Sequence, residues 1–447
     1  MLKRIFSIIF TIFLIFTAIS TPITVSAFEV TGFDITAKAG MLVSLDTGEM
    51  LYENNIDQKV YPASITKIMT ALLMLESELF NPEGKIAVTE EVLDMVLGTG
   101  LSVSLMKAGE EFTQLDLLYL VLMASYGDST YLAAQYYGGT VENFVAMMNA
   151  KAAELGLTGT HYSNPVGLHE EETYTTVRDI YTLTLYALKN EIFRQVCNSA
   201  RYTFSTSNNP KRILSTTNFL QDSTTNYYYQ YAKGVKTGFT DEAGRCLVST
   251  AEYNGYSYMC ILMGCPNDKQ KRHEFAESTE LYRWAFLNFS FKEVAKSDEP
   301  VCEMPVELSL DTDFVPLYFK EPFITILPNE ANSSTIVVKT HLKSDSTDAP
   351  IKKGQVLGTA DIIYAEKVVG TAELVAGNDV EASGILVTAR LIKNIFTSVY
   401  MKILIALAII AVIIFIILCI KLNMARLKKR RVRYIPYAKR EKKRYDD

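Results

Sequence analysis

The 447-residue sequence predicts an α+β domain, then a small all-β domain and a C-terminal transmembrane helix. Three observations lead to this prediction. Hairpin-like patterns flank a helical middle, short β-like stretches follow, and an uncharged apolar run stands near the end of the chain. We place the two domains at residues 28–292 and 300–384, and a linker at 385–402 connects them to the apolar run at 403–420.

The first 27 residues have the pattern of a secretory signal peptide. Lys3 and Arg4 precede an uncharged apolar run at residues 5–19, and small residues at 25–27 offer a cleavage site. We expect the mature chain to begin near Phe28. Because the apolar run is at the long end for a signal peptide, an uncleaved membrane anchor is the alternative.

The α+β domain is predicted from two hairpins and from the helices between them. The first hairpin spans residues 41–52, and the second spans 246–263 around an Asn-Gly turn at 254–255. Apolar spacing between the hairpins predicts helices at 65–75, 115–124, 141–155 and 176–189. Thr176 and Asp179 match a capping box that would begin the last helix. We expect the terminal strands to meet in one antiparallel sheet.

The all-β domain and the membrane helix follow in the last third of the chain. Residues 303–375 are rich in β-like stretches broken by Pro, Gly, Asp and Asn, which predicts a small all-β domain. The 18-residue run at 403–420 spans roughly 27 Å as a helix and approaches the thickness of a bilayer core. The tail at 421–447 holds 12 basic and three acidic residues. The positive-inside rule therefore places this tail in the cytoplasm and the body outside.

Charge and cysteine content exclude several classes of protein. The net charge is −6 although the tail is strongly basic, so the body is acidic, which argues against nucleic acid as a partner. Five of the six cysteines lie between residues 28 and 400 without a dense framework, so we expect buried thiols. The four histidines are scattered and no Cys/His cluster suggests zinc. We therefore expect no metal site, and nothing else in the sequence indicates an organic cofactor.

Three short motifs could carry chemistry. Ser64 and Lys67 lie one helical turn apart, where an amine of lowered pKa could take the proton of the hydroxyl. Ser125 lies in a polar break between two apolar helical segments and could relay a proton. Lys236 and Thr237, in a Lys-Thr-Gly sequence before the second hairpin, could bind a carboxylate. Taken singly, the motifs also fit a solvated pair, an interhelical turn and a Gly-rich loop.

In this order the three motifs resemble those of penicillin-binding proteins and serine β-lactamases. From about residue 33 to 380, the chain resembles the D-alanyl-D-alanine carboxypeptidases of the low-molecular-mass penicillin-binding group. The likeness includes YPAS at 61–64, SNPVGL at 163–168, GVKTG at 234–238, AGRCL at 243–247 and APIKKGQ at 349–355. It implies a β-lactamase/penicillin-binding-protein-like transpeptidase domain, an antiparallel sheet with helices, followed by the accessory β-domain.

The resemblance implies a serine-type carboxypeptidase that acts on peptidoglycan stem peptides ending in D-Ala-D-Ala, with β-lactams as covalent inhibitors. Ser64 would then be the acyl-forming nucleophile, Lys67 its base and Ser125 the proton relay. The residues that it implies for substrate binding are Lys236, Thr237, Gly238, Phe239 and Arg272. The backbone N–H groups of Ser64 and Phe239 would form the oxyanion hole.

One position departs from the family pattern. The second motif of the family is Ser-x-Asn, and Gly127 stands at the asparagine position. Glycine offers no amide to bond the substrate carbonyl or to orient Lys67, which affects turnover more than acylation. Asp128 or Ser129 could compensate from next door. The alternatives are an impaired penicillin-binding protein acting as a wall-assembly scaffold or sensor, and a β-lactamase, for which no clear Glu motif for deacylation is present.

Overall fold

The computed structural model describes residues 28, 30, 32–204 and 212–432. The predicted signal peptide and the last part of the predicted cytoplasmic tail lie outside the described residues. The chain divides into two compact units. The first holds the described residues up to Val294 with 323–338 and 362–370, and the second holds 295–322, 339–361 and the described residues from 371 onward.

The described helices follow one another mainly in the first unit and at the C-terminal end. They are α1 (Lys67–Glu76), α2 (Glu90–Met95), α3 (Gln114–Leu122), α4 (Gly127–Gly138), α5 (Val141–Glu154), α6 (Val177–Ala187), α7 (Glu191–Cys197), α8 (His273–Asn288), α9 (Gly384–Thr397) and α10 (Val399–Val432). The strands are β1 (Ala39–Ser44), β2 (Met50–Asn54), β3 (Lys85–Ala87), β4 (Glu111–Thr113), β5 (Arg201–Thr203), β6 (Ile213–Ser215), β7 (Ala232–Thr240), β8 (Gly244–Tyr253), β9 (Tyr256–Cys265), β10 (Phe289–Ala295), β11 (Pro300–Glu307), β12 (Phe314–Phe319), β13 (Phe323–Pro328), β14 (Ile336–Leu342), β15 (Thr347–Asp348), β16 (Val356–Tyr364) and β17 (Lys367–Ala376).

A five-stranded antiparallel sheet in the order β2-β1-β9-β8-β7 organises the first unit. On β1, Leu42 lies opposite Tyr52 of β2 on one side and opposite Cys260 of β9 on the other. The predicted meeting of the terminal strands in one sheet is therefore confirmed. The second hairpin turns at Asn254 and Gly255, whose φ angles of 51° and 80° suit the type I′ turn that Asn-Gly favours.

Both faces of this sheet are buried, and this fixes the register of its strands. Met41 and Val43 of β1 join a core cluster that includes Ile68 of α1. Leu42, between them, belongs to a second cluster that includes Phe275 of α8. Because successive side chains of a strand face opposite sides, a slip by one residue would exchange the two sets. The sheet therefore holds the helix that carries the first motif in a fixed place.

The four predicted helices are present as α1, α3, α5 and α6. The first of them begins with the 3₁₀ turn Ala63–Thr66 and becomes α-helical only at Lys67. Thr176 caps α6 by accepting the backbone N–H of Asp179. The Asp179 carboxylate instead accepts hydrogen bonds from the Gly159 N–H and the Thr160 hydroxyl, so the Thr176 half of the predicted capping box is formed and the Asp179 half is not.

A six-stranded sheet in the order β14-β16-β17-β12-β11-β15 confirms the predicted small all-β domain. In the second unit, β12 pairs antiparallel with both β11 and β17, and Tyr318 lies opposite Val375. Alternate residues of β12, such as Val315 and Leu317, are buried, as the two-residue period of a half-buried strand requires.

Most of the predicted linker at 385–402 is helical, in α9 and in the first turn of α10. Apolar residues four positions apart, such as Leu391 and Ile395, form one stripe of α9, and this helical period favours a helix over an irregular connection. The following helix α10 includes Val399–Leu427, which is long and apolar enough to cross a membrane by length and composition.

Candidate active site

The first motif forms a tight turn at the start of α1. Ser64 lies in the 3₁₀ turn, next to Ala63, which has a positive φ of 46°. The Nζ of Lys67 donates a hydrogen bond of 2.9 Å to the Ser64 hydroxyl and one of 2.8 Å to the carbonyl of Val166. The structure thus brings the amine into contact with the hydroxyl, as the spacing predicts.

A loop at residues 163–168 supports this turn, and our sequence analysis did not assign it that role. The side-chain oxygen of Asn164 accepts the backbone N–H groups of Val166 and Gly167 at 3.3 and 2.8 Å, which folds the loop against the turn. Gly167 has a φ of 79°, and a Cβ there would stand 1.8 Å from the carbonyl oxygen of Ala63. Only glycine permits this approach. Gly167, which follows Pro165 and Val166, was therefore the signal in the sequence that a close backbone contact occurs here.

Burial controls the charge of the two lysines of the site. Lys67 is fully buried, and desolvation lowers its pKa to about 7, although the charge of Asp128 acts in the opposite direction. Desolvation also lowers the pKa of Lys236 well below its ordinary value, and the charge of Lys67 adds to that effect. A substantial fraction of Lys67 is therefore the free amine at neutral pH, which is the form that a general base needs.

The second motif connects α3 to α4, between the two apolar helical segments, as predicted. Ser125 has a positive φ of 65° and faces the same pocket as Ser64. Gly127 begins α4, and a Cβ there would lie 2.8 Å from Cδ1 and 3.0 Å from Cβ of Leu101. The Leu101 side chain therefore occupies the space into which an asparagine side chain at position 127 would begin to grow.

The two neighbours that could compensate for Gly127 make different contacts. The Ser129 hydroxyl donates to the carbonyl of Tyr126 at 3.0 Å. The buried carboxylate of Asp128 accepts the N–H and the hydroxyl of Ser104 at 2.7 and 2.8 Å, and its charge raises the pKa of Lys67. Compensation stays a prediction, and Asp128 is the neighbour whose charge acts on the lysine.

The third motif lies on β7, at an edge of the sheet and next to the Ser64 turn. A Cβ on Gly238 would lie 3.1 Å from the carbonyl oxygen of Pro62, so the strand and the turn are in close contact. The Nζ of Lys236 donates to the carbonyl of Thr237 at 3.0 Å, and the Thr237 hydroxyl donates to the Thr217 hydroxyl at 2.7 Å. The strand therefore faces the serine-bearing turn, as the sequence predicts.

A pocket of about 820 Å³ brings most of the predicted site residues together. The predicted residues in its wall are Ser64, Ser125, Thr237, Gly238, Phe239 and Arg272. Lys67 and Lys236 are both buried behind this wall. Lys67 donates a hydrogen bond to Ser64 and Lys236 donates one to Thr237, and both acceptors belong to residues of the wall. Leu101 and Thr217 also line the pocket, and no motif in the sequence pointed to them.

The cysteine, histidine and acidic side chains of the described residues show whether a metal site could form and which thiols are buried. Within residues 28, 30, 32–204 and 212–432, no group of three or more His, Cys, Asp and Glu side chains could hold a metal ion. The expectation of no cofactor stays a prediction. Four of the five thiols that we expected to be buried are so, namely those of Cys197, Cys246, Cys260 and Cys265. The prediction is wrong for Cys302, which is only half-buried.

An antiparallel sheet with helices on both faces, and a Ser-x-x-Lys turn beside a Lys-Thr-Gly strand, defines a penicillin-binding-protein-like transpeptidase domain. Residues 24–267 match the family model described as D-alanyl-D-alanine carboxypeptidase, and residues 289–382 match that of the penicillin-binding protein 5 C-terminal domain. The chain belongs to the D-alanyl-D-alanine carboxypeptidase family.

Known proteins resemble this chain over most of its length. The D-alanyl-D-alanine carboxypeptidase DacF of Bacillus subtilis is 31% identical over 352 residues, which cover 78% of this chain and 87% of the relative. DacC of Escherichia coli is 29% identical over 361 residues, with 78% and 86% covered. The crystal structure of penicillin binding protein 5 from Haemophilus influenzae aligns with a TM-score of 0.62 at 27% identity, covering 79% of this chain and 100% of its own. The resemblance inferred from the motifs is therefore confirmed.

Proposed function

We propose that this chain is a serine-type D-Ala-D-Ala carboxypeptidase that removes the terminal D-Ala of peptidoglycan stem peptides. The observation that carries the proposal is the 2.9 Å contact between Lys67 Nζ and the Ser64 hydroxyl, where burial lowers the pKa of the amine to about 7. Membership of the carboxypeptidase family supports the choice of substrate.

In the proposed acylation step, the Ser64 oxygen attacks the carbonyl carbon of the penultimate D-Ala. Lys67 takes the hydroxyl proton, and the N–H groups of Ser64 and Phe239 stabilise the oxyanion. The C–N bond then breaks, the proton held by Lys67 reaches the leaving amine through the Ser125 hydroxyl, and D-Ala departs. Water hydrolyses the ester on Ser64 and releases the shortened peptide.

We assign the substrate's terminal carboxylate to the side of the pocket that is formed by Thr237 and Arg272. Thr237 and Arg272 lie in the pocket wall, and Lys236 is adjacent to Thr237 on β7. Lysine, threonine and arginine donors suit a carboxylate, and Gly238 allows the peptide backbone to approach the strand. A β-lactam that presents a carboxylate next to its reactive carbonyl is expected to acylate Ser64 in the same way.

We assign the apolar helix Val399–Leu427 as a single membrane span. Its 29 residues extend over roughly 43 Å, more than the hydrocarbon core of a bilayer requires. The basic residues that follow support a cytoplasmic C-terminal tail. The catalytic domain is then assigned to the outer side, where peptidoglycan is found. Protease protection of the tail in sealed membrane vesicles tests this topology.

Two measurements on the full chain in detergent test the activity. We expect mass spectrometry to find a penicilloyl adduct on Ser64, and we expect D-Ala to be released from a pentapeptide ending in D-Ala-D-Ala. S64A should lose both signals, whereas S77A, at the far end of α1, should keep both. An adduct without D-Ala release would favour the scaffold or sensor, and rapid loss of the adduct would favour a β-lactamase. Absence of the adduct in folded protein would refute the enzymatic proposal.

A further inference from the structure

Arg272 rests on a buried carboxylate that the sequence motifs do not include. The Nε of Arg272 donates a hydrogen bond of 2.7 Å to Oε1 of Glu274, and Nη2 lies 2.6 Å from the same oxygen in an ion pair. The Glu274 side chain is only 1% exposed, whereas that of Arg272 is 26% exposed and reaches the pocket wall. A buried carboxylate beneath a pocket arginine fixes where the guanidinium points.

The aromatic surroundings hold the same guanidinium from two further sides. Its carbon lies 4.9 Å from the ring centre of Phe219 and 4.8 Å from that of Phe275. The backbone N–H of Arg272 donates to the Tyr227 hydroxyl at 2.8 Å. Rings and carboxylate together restrict a side chain that is otherwise rich in rotamers.

This arrangement leaves one edge of the guanidinium for a ligand. Arginine has five N–H donors in a planar fork, and Glu274 uses the edge formed by Nε and Nη2. The edge formed by Nη1 and Nη2 keeps the geometry that binds a carboxylate with two parallel hydrogen bonds.

A second arginine prevents the buried carboxylate from neutralising this part of the site. Nη1 of Arg245 lies 3.9 Å from Oε1 of Glu274, and the Arg245 guanidinium lies 4.9 Å from the ring centre of Phe239. Arg245 and Phe239 are cross-strand partners on β8 and β7. Two guanidinium groups and one carboxylate leave a net positive charge beside the strand of the third motif.

We propose that Glu274 is a positioning residue that aims Arg272 at the anionic end of the substrate, while Arg245 keeps the cluster positive. This inference rests on the proposed function, in which Arg272 binds the terminal carboxylate. Glu274 does not touch the substrate. It acts by fixing the direction of the free guanidinium edge, and Arg245 connects that cluster to the strand that holds Phe239.

The sign of the change in KM separates positioning from simple charge balance. If Glu274 orients Arg272, then E274Q should raise KM for D-Ala release about tenfold and leave kcat within about threefold, because a misdirected Arg272 binds the substrate carboxylate more weakly in the ground state and in the transition state alike. If Glu274 only offset the charge of Arg272, then removal of its negative charge would lower KM, and the proposal would be wrong. E280Q, on the same helix α8, is the matched control and should keep the wild-type KM.

Chemical rescue tests the same contact without depending on E274Q alone. We expect R272A to raise KM, and we expect added guanidinium ion, at concentrations that leave the wild type folded, to restore part of the loss. In R272A/E274Q the same ion should restore nothing, because the carboxylate that would hold it is gone, and KM should be no higher than in R272A. Equal rescue in both variants, or additive effects on KM, would overturn the proposal.

Failure of the proposed function can be distinguished from failure of the positioning role of Glu274. If the folded wild type releases no D-Ala, the carboxypeptidase assignment fails, and positioning is then measured by the rate at which a carboxylate-bearing penicillin acylates Ser64. E274Q should slow that acylation about tenfold relative to E280Q. Unchanged acylation together with a lowered unfolding temperature would show that Glu274 is structural only, which refutes positioning.

Discussion

Replacement of Gly127 by asparagine tests whether Leu101 excludes the family side chain from the second motif. Non-bonded carbon atoms normally lie about 3.5–4.0 Å apart, whereas a Cβ at position 127 would lie 2.8 Å from Cδ1 and 3.0 Å from Cβ of Leu101. Rotation can move Cδ1, but Cβ is fixed to the backbone, so the loop itself must shift. We expect G127N to lower the free energy of unfolding by about 1–2 kcal/mol, within the usual range for overpacking. The corresponding fall in Tm is roughly 3–6 °C.

A double-mutant cycle in the detergent-solubilised full chain measures this effect. L101A removes the 2.8 Å contact with Cδ1 but keeps the 3.0 Å contact with Cβ. The relief is therefore partial, and G127N/L101A should be more stable than the sum of the single changes by about 1 kcal/mol. We also expect the double variant to release D-Ala faster than G127N, because the amide then has room beside the site. Thermal unfolding and D-Ala release from a pentapeptide are the two measurements. A G127N protein that unfolds at the wild-type temperature and gains turnover would refute the reasoning.

Three further predictions follow from the site and from the core. Acylation of Ser64 by a penicillin should rise about tenfold per pH unit below pH 7 and level off above it, because only neutral Lys67 accepts the proton; a rate that still rises steeply beyond pH 9 would mean that this lysine keeps an ordinary pKa. G167A should unfold the protein or abolish acylation, since its Cβ would overlap the Ala63 carbonyl oxygen, whereas G156A, with a similar φ but open space around its Cβ, should cost only about 1–2 kcal/mol by chemical denaturation. A thiol reagent on the native protein should leave the buried cysteines unmodified until denaturant is added, because desolvation raises their pKa values; early labelling by peptide mapping would contradict the burial of Cys197, Cys246, Cys260 and Cys265.

Local patterns in the sequence predicted much of the fold. The Asn-Gly hairpin was predictable because the turn and its flanking β-formers lie within twenty residues. The three motifs were predictable because their order is specific, and the structure places all three around one pocket. Residues 385–402 were predicted only as a linker, with no secondary structure assigned to them, whereas the structure has the helix α9 there.

Contacts between distant segments could not be predicted in this way. The Val166 carbonyl that holds Lys67 is a backbone group, which leaves no signature in side-chain composition. Leu101 lies against Gly127 because of the path of its loop, which the sequence does not reveal. A leucine in the sequence indicates only an apolar position. Glu274 would have been taken for a solvated residue of a helix start, because its burial beside Arg245 depends on how β8 packs against α8.

The central sheet also sets the order of events when this protein is made. The strand β1, which holds residue 42, pairs with β9, which holds residue 260. The pairing at the centre of the sheet therefore cannot form until nearly the whole domain has been synthesised. Pairing across such a long stretch of chain is slow compared with the formation of a helix. An incompletely synthesised chain therefore lacks the surface against which the Ser64 turn is held, and the site can assemble only once the second hairpin is present.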